Sequence, residues 1–97
     1  MASNLFSLEG KVAVVTGASR GFGRAIALGL ADAGADIVLA ARTESSLNEV
    51  AAEIEAKGRR ALAVPADMGS KESVSNLATK TIEAFGKVDI LVNNAGL

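Results

Sequence analysis

Thr16-Gly-Ala-Ser-Arg-Gly-Phe-Gly23 is the stretch on which the fold turns. Before it runs Lys11-Val-Ala-Val-Val-Thr16, a short β-branched apolar segment that reads as a strand buried on both faces. After it, from Arg24 to Ala33, Ile26 and Leu30 with Ala25, Ala27 and Ala33 recur at helical spacing, and Gly34 closes the helix. Gly17 lets the chain leave the strand through a tight turn. Gly21 and Gly23 remove side chains where backbone must approach a phosphate or pack closely on the sheet. The helix aims its free N–H groups and positive dipole end at the same spot. A pyrophosphate there is held chiefly by backbone donors, with the Ser19 hydroxyl assisting. The run is not a P-loop, because no G-x-x-x-x-G-K-[ST] is present. Three glycines also suit a merely compact turn; the strand before and the helix after favour the phosphate reading.

Outward from this turn the same alternation repeats. Asp36–Ala40 reads as a second buried strand. Ser45–Lys57 reads as a helix, with Leu47, Val50, Ala51 and Ile54 at i, i+3, i+4 and i+7, a capping box from Ser46 and Glu49, and Gly58 as its stop. Arg60–Val64 is a third strand, followed by Pro65. Ser70–Phe85 is a third helix, with Val74, Leu77, Ala78, Thr81 and Phe85 on one face and Gly86 at its end. Val88–Val92 is a fourth strand. Strands alternating with helices at this spacing form βαβ units, and right-handed crossovers make the sheet parallel with helices on both faces. The fold class is therefore α/β, a doubly wound parallel sheet. No linker, repeat or low-complexity segment divides residues 1–97, and residues 1–7 read as an N-terminal tail.

Composition narrows the chemistry. The 97 residues contain no His, Cys, Tyr or Trp. That removes the imidazole base, the thiol nucleophile, the phenol acid, Cys/His zinc sites and disulfides. Ten basic and eleven acidic side chains give a net charge of −1 without a basic stripe, and the few aromatics are all Phe, so no nucleic-acid partner is expected. Apolar stretches such as Ala35–Ala41 are too short to span a bilayer, and the first ten residues lack the features of a signal peptide. A cytoplasmic protein without a membrane partner is the expectation.

Two further markers join the glycine turn. Asn93-Asn94-Ala95-Gly96 follows the fourth strand, and Asp67 follows the third. Together with T-G-x-x-x-G-x-G these resemble the short-chain dehydrogenase/reductase family, from about Leu8 onwards; Phe22 stands where Ile or Leu is more usual. The resemblance implies the first half of a Rossmann-type fold with strand order 3-2-1-4, and a dinucleotide on Gly17, Ser19, Arg20, Gly21, Phe22 and Gly23. It implies that Asp67 accepts from the adenine amino group beside the Met68 backbone, and that Asn94, Ala95 and Gly96 line the adenosine side. Asn93 is expected to tie neighbouring strands together. An alternative for Asp67 is an N-cap or loop role near Ser70. For the cofactor, an NAD-type site places a carboxylate at the end of the second strand. Ala41 occupies that position by resemblance, with Arg42 next and Arg20 in the turn, so two guanidiniums point to NADP over NAD. Glu44 is the counter-argument, read here as a helix first-turn charge.

The family's Y-x-x-x-K helix, with its Ser and further Asn, has no counterpart in this sequence. The resemblance therefore implies the N-terminal, cofactor-binding part of an oxidoreductase that moves hydride between NADP(H) and a carbonyl/alcohol pair. No residue here is assigned to catalysis, and no turnover is expected from these 97 residues alone. The apolar fourth strand is expected to present an open edge, which favours a homo-oligomer. The rival reading is a complete small protein that binds a nucleotide, or assembles with itself, without chemistry. The substrate is not legible in the sequence.

Overall fold

The computed structural model describes residues 7–94, and its architecture follows from two strands that have no polar face. All five residues of β1 (Val12–Thr16) are buried, as are the four inner residues of β2 (Asp36–Ala41). Such strands need neighbours on both edges and helices on both faces. β3 (Ala61–Pro65) pairs outside β2 and β4 (Ile90–Val92) pairs outside β1, all parallel, in the order β3-β2-β1-β4. The expected α/β doubly wound sheet and its strand order are both present.

Side chains alternate across the sheet with the strand period of two. Ala13, Val15, Ile37 and Leu39 face Ala27 and Ala31 of α1 (Gly21–Asp32) and Leu47, Val50 and Ile54 of α2 (Glu44–Ala56). Val12, Val14, Val38, Ala40 and Val64 face the other way, toward Leu77 of α3 (Lys71–Phe85).

Several boundaries differ from the sequence reading for identifiable reasons. α1 starts at Gly21 rather than Arg24, because the end of the glycine turn is already the first helical turn. The proposed Ser46–Glu49 capping box does not form: both residues lie inside α2, whose N-cap is Thr43 without a side-chain bond. α3 has the better cap, the Ser70 hydroxyl accepting from the Ser73 N–H at 3.3 Å. On α3 only Leu77 and Thr81 of the expected face are buried; Phe85 is half-buried, and Val74 and Ala78 are exposed. α3 packs against β3, toward one side of the sheet, so the apolar stripe is only partly covered.

β4 is also shorter than Val88–Val92, and Asp89 explains why. Its backbone N–H donates to Val12 O at 2.9 Å, and its carboxylate accepts the Val12 N–H at 2.8 Å, where a strand carbonyl would otherwise pair. Lys87 completes this clasp, donating from Nζ to Gly10 O at 2.6 Å and lying 3.1 Å from the Asp89 carboxylate. The Val12 N–H, and next the Lys87 ammonium, hold the Asp89 carboxyl below its ordinary value.

Candidate functional site

A cleft of about 1190 Å³ opens at the carboxyl ends of β1, β2 and β3, where open α/β sheets bind ligands. Its floor is the glycine turn, where Gly21 and Gly23 answer different demands. Gly21 has φ +61°, a left-handed conformation that side chains disfavour, while a Cβ on it would meet nothing within 4 Å. Gly23 is required for space instead: a Cβ would lie 1.9 Å from Gly17 O. Gly23 is thus a packing contact beneath the cleft and not part of its lining.

Arg20 is the N-cap of α1, with extended backbone and no side-chain capping bond. The first N–H groups of α1, at Gly21, Phe22 and Gly23, precede the first helical bond from Arg24 N to Arg20 O. With the helix dipole these donors suit an anion, and the space at Gly21 is open for an approach to the backbone. Ser19 and the exposed Phe22 line the same cleft.

The wall at the end of β1 is held by a buried threonine. Thr16 Oγ1 accepts from the Asn94 N–H at 2.8 Å and donates toward Asn93 Oδ1 at 3.1 Å. Asn94 Nδ2 reaches back to Gly17 O at 3.5 Å. Asn93, expected to bond neighbouring backbone in tying the strands together, instead ties the end of β4 to β1 through the Thr16 side chain. Asn94 lines the cleft; Ala95 and Gly96 lie outside the described residues.

The opposite wall brings together Ala41, Arg42, Asp67 and Met68. Asp67 is not the N-cap of α3. Its Oδ1 accepts from the Gly69 N–H at 2.9 Å, and its own N–H donates to Ser73 Oγ at 2.8 Å. Arg42 Nη2 stands 3.6 Å from Asp67 Oδ1. Glu44 opens α2 and does not line the cleft. Thr43, Ser46, Ala66 and Gly69 do line it, although no ligand-binding motif marks them. Their only signal is position, just past the carboxyl ends of β2 and β3.

Gly17, Ser19, Arg20, Gly21, Phe22, Arg42, Asp67, Met68 and Asn94 thus converge on one surface. Its charged side chains are two guanidiniums and one carboxylate, set beside backbone donors and a thioether. This arrangement suits a ligand with phosphate groups at one end and a flat polar ring at the other. Among the described residues no group of three or more His, Cys, Asp or Glu could hold a metal ion, and no helix is long and apolar enough to cross a membrane.

Comparison with known proteins accords with this geometry. The chain is 52% identical over 96 residues to an uncharacterised oxidoreductase of Mycobacterium tuberculosis, covering 99% of this chain and 36% of that protein. The structure of L-sorbose reductase from Gluconobacter frateurii, complexed with NADPH and L-sorbose, superposes with a TM-score of 0.91 at 46% identity. It covers 95% of this chain and 35% of that one. A 7α-hydroxysteroid dehydrogenase complexed with NADH and 7-oxo glycochenodeoxycholic acid superposes at 0.95 with 42% identity, covering 100% of this chain and 38% of that one. The chain spans little more than a third of the length of these relatives. The family model described as short chain dehydrogenase matches residues 11–97, and the chain belongs to that family.

Proposed function

We propose that this chain is the cofactor-binding part of an NADP-dependent oxidoreductase that interconverts a carbonyl and an alcohol. When bound, the dinucleotide supplies hydride chemistry; the residues described here bind and orient it. The N–H groups at the start of α1 and the Ser19 hydroxyl hold the pyrophosphate. Asp67 and Met68 receive the adenine, and Asn94, with Ala95 and Gly96, closes the adenosine side. Arg20 and Arg42 take the 2′-phosphate. The observation that carries the choice of NADP is the wall at the end of β2, where Ala41 offers no carboxylate to repel a phosphate and Arg42 lines the cleft. The relatives include proteins crystallised with NADPH and with NADH, so the preference has to come from residues of this chain.

Titration of the 97-residue chain with NADPH and NADH, followed by nicotinamide fluorescence, tests this reading. NADPH is expected to bind about tenfold tighter, as a charge-assisted contact to one extra phosphate provides. Equal affinities sink the choice of NADP, and no binding of either sinks the whole reading. No side chain here is assigned to proton transfer, so the chain alone is expected to show no NADPH-dependent carbonyl reduction. Turnover by the pure chain overturns that part.

The reading extends to a cytoplasmic setting, which the absence of cysteine suits. It also includes self-association of this chain through β4, where Leu91 is 65% exposed beside an edge that no described strand covers. Sedimentation at rising concentration checks it; a monomer throughout refutes it.

A further inference from the structure

Arg42 and Asp67 meet across the mouth of the cleft, one leaving the end of β2 and the other just beyond β3. Arg42 Nη2 lies 3.6 Å from Asp67 Oδ1, and the two side chains are 81% and 52% exposed. The partners are not equally anchored. Asp67 Oδ1 also accepts from the Gly69 N–H at 2.9 Å, which anchors the carboxylate to its own turn whatever Arg42 does. Arg42 has no other ion pair among the described residues. The guanidinium is therefore the less constrained partner.

We propose that Asp67 tunes the cofactor preference of this site by competing with the 2′-phosphate for the Arg42 guanidinium. The inference rests on the cofactor reading above and adds to it a second, opposing determinant. A dinucleotide without a 2′-phosphate leaves the Arg42–Asp67 pair intact and binds beside it. One with the phosphate draws the guanidinium away from Asp67. The exchange favours the phosphate, because direct charge-assisted contacts run to about 2.7–2.9 Å and the resident pair stands well outside that range. Separating the pair still has a cost, and only the phosphorylated cofactor incurs it. Asp67 thus narrows the gap between the two dinucleotides while serving both of them at the adenine.

The ratio of NADH to NADPH dissociation constants isolates the effect, since any change at the adenine is common to both and cancels. Asp67→Asn keeps an oxygen for the Gly69 N–H and for an adenine amino group, and removes only the charge. Exposed ion pairs of this type correspond to about a 2- to 5-fold change in equilibrium, so the ratio is expected to rise by about that factor. Removing a negative charge near the phosphate also raises the ratio through space. The second arm therefore repeats Asp67→Asn in an Arg42→Gln background, where only the smaller through-space part of the rise is expected to remain. An unchanged ratio in the single variant overturns the proposal. So does an equal rise with Arg42 already replaced, which assigns the effect to the general field. Failure of both dinucleotides to bind the unsubstituted chain overturns the cofactor reading itself, and this inference with it. Both side chains are exposed, and circular dichroism of each variant confirms that the comparison is made on folded protein.

Discussion

The two ends of β1 are fastened to β4 by opposite chemistry. At the carboxyl end Thr16 joins Asn93 and Asn94 with neutral hydrogen bonds around a fully buried hydroxyl. At the amino end Asp89 and Lys87 grip the Val12 N–H and the Gly10 carbonyl with charges that face water. The first arrangement carries no formal charge, so that among the described residues lining the cleft only two guanidiniums and one carboxylate are charged. The second lies at the opposite end of the strand from the cleft. A ligand site that recognises phosphate gains from having its scaffold uncharged, so that its few charges are free to act on the ligand.

The largest expected break is at the carboxyl end. Gly23→Ala puts a methyl group against the Gly17 carbonyl oxygen, a backbone atom that cannot swing aside, and the turn has to move. Overpacking of this kind costs about 1–3 kcal/mol, and urea unfolding is expected to show a loss at the top of that range together with weakened dinucleotide binding. Thr16→Val comes next. It keeps the shape but strips the partner from the Asn94 N–H and the Asn93 side chain, at about 1–3 kcal/mol for a buried group left unsatisfied. Thr16→Ser is expected to recover most of that loss, and neither variant should alter the pH dependence of stability. If Thr16→Val unfolds at the same urea concentration as the unsubstituted chain, the neutral fastening is decorative.

The smallest effect is expected at the amino end, from Asp89→Asn, and pH reveals it. The folded state holds the Asp89 carboxyl below its ordinary value of 3.8. Its stabilising contribution is therefore fully present above that value and is lost as the pH falls through the lower, folded one. Asp89→Asn is expected to reduce stability slightly at neutral pH and to flatten the acid limb of the stability curve. An acid limb identical in both proteins assigns acid sensitivity to other carboxylates.

The contrast between the ends also explains what the sequence made legible. β1 and β2 announce themselves because every residue of β1, and every residue of β2 after Asp36, is apolar or β-branched, the composition that strands buried on both faces require. The glycine turn is equally visible, but the separate demands on Gly21 and Gly23 are not; conformation and close approach leave the same letter in the sequence. Ser46 and Glu49 carry the spacing of a capping box, yet the helix had already begun at Glu44, and local pattern yields to where the chain leaves β2. The length of β4 depends on a carboxylate that replaces a strand carbonyl, which no periodicity reports. Nor does spacing along the chain bring Arg42 to Asp67. Only the β2–β3 pairing, with Ala41 beside Pro65, does that.

The bond between Asn94 and Thr16 joins residues 78 apart in the chain. Contacts of that separation form late, because the entropy of closing so long a loop must be overcome before they contribute. As the polypeptide leaves the ribosome, the glycine turn emerges early but lacks one wall until the fourth strand arrives and settles beside the first. On the proposed reading, recognition is thus a property of the finished sheet, and a nascent chain carrying the whole glycine motif has not yet acquired the cleft that would take a nucleotide.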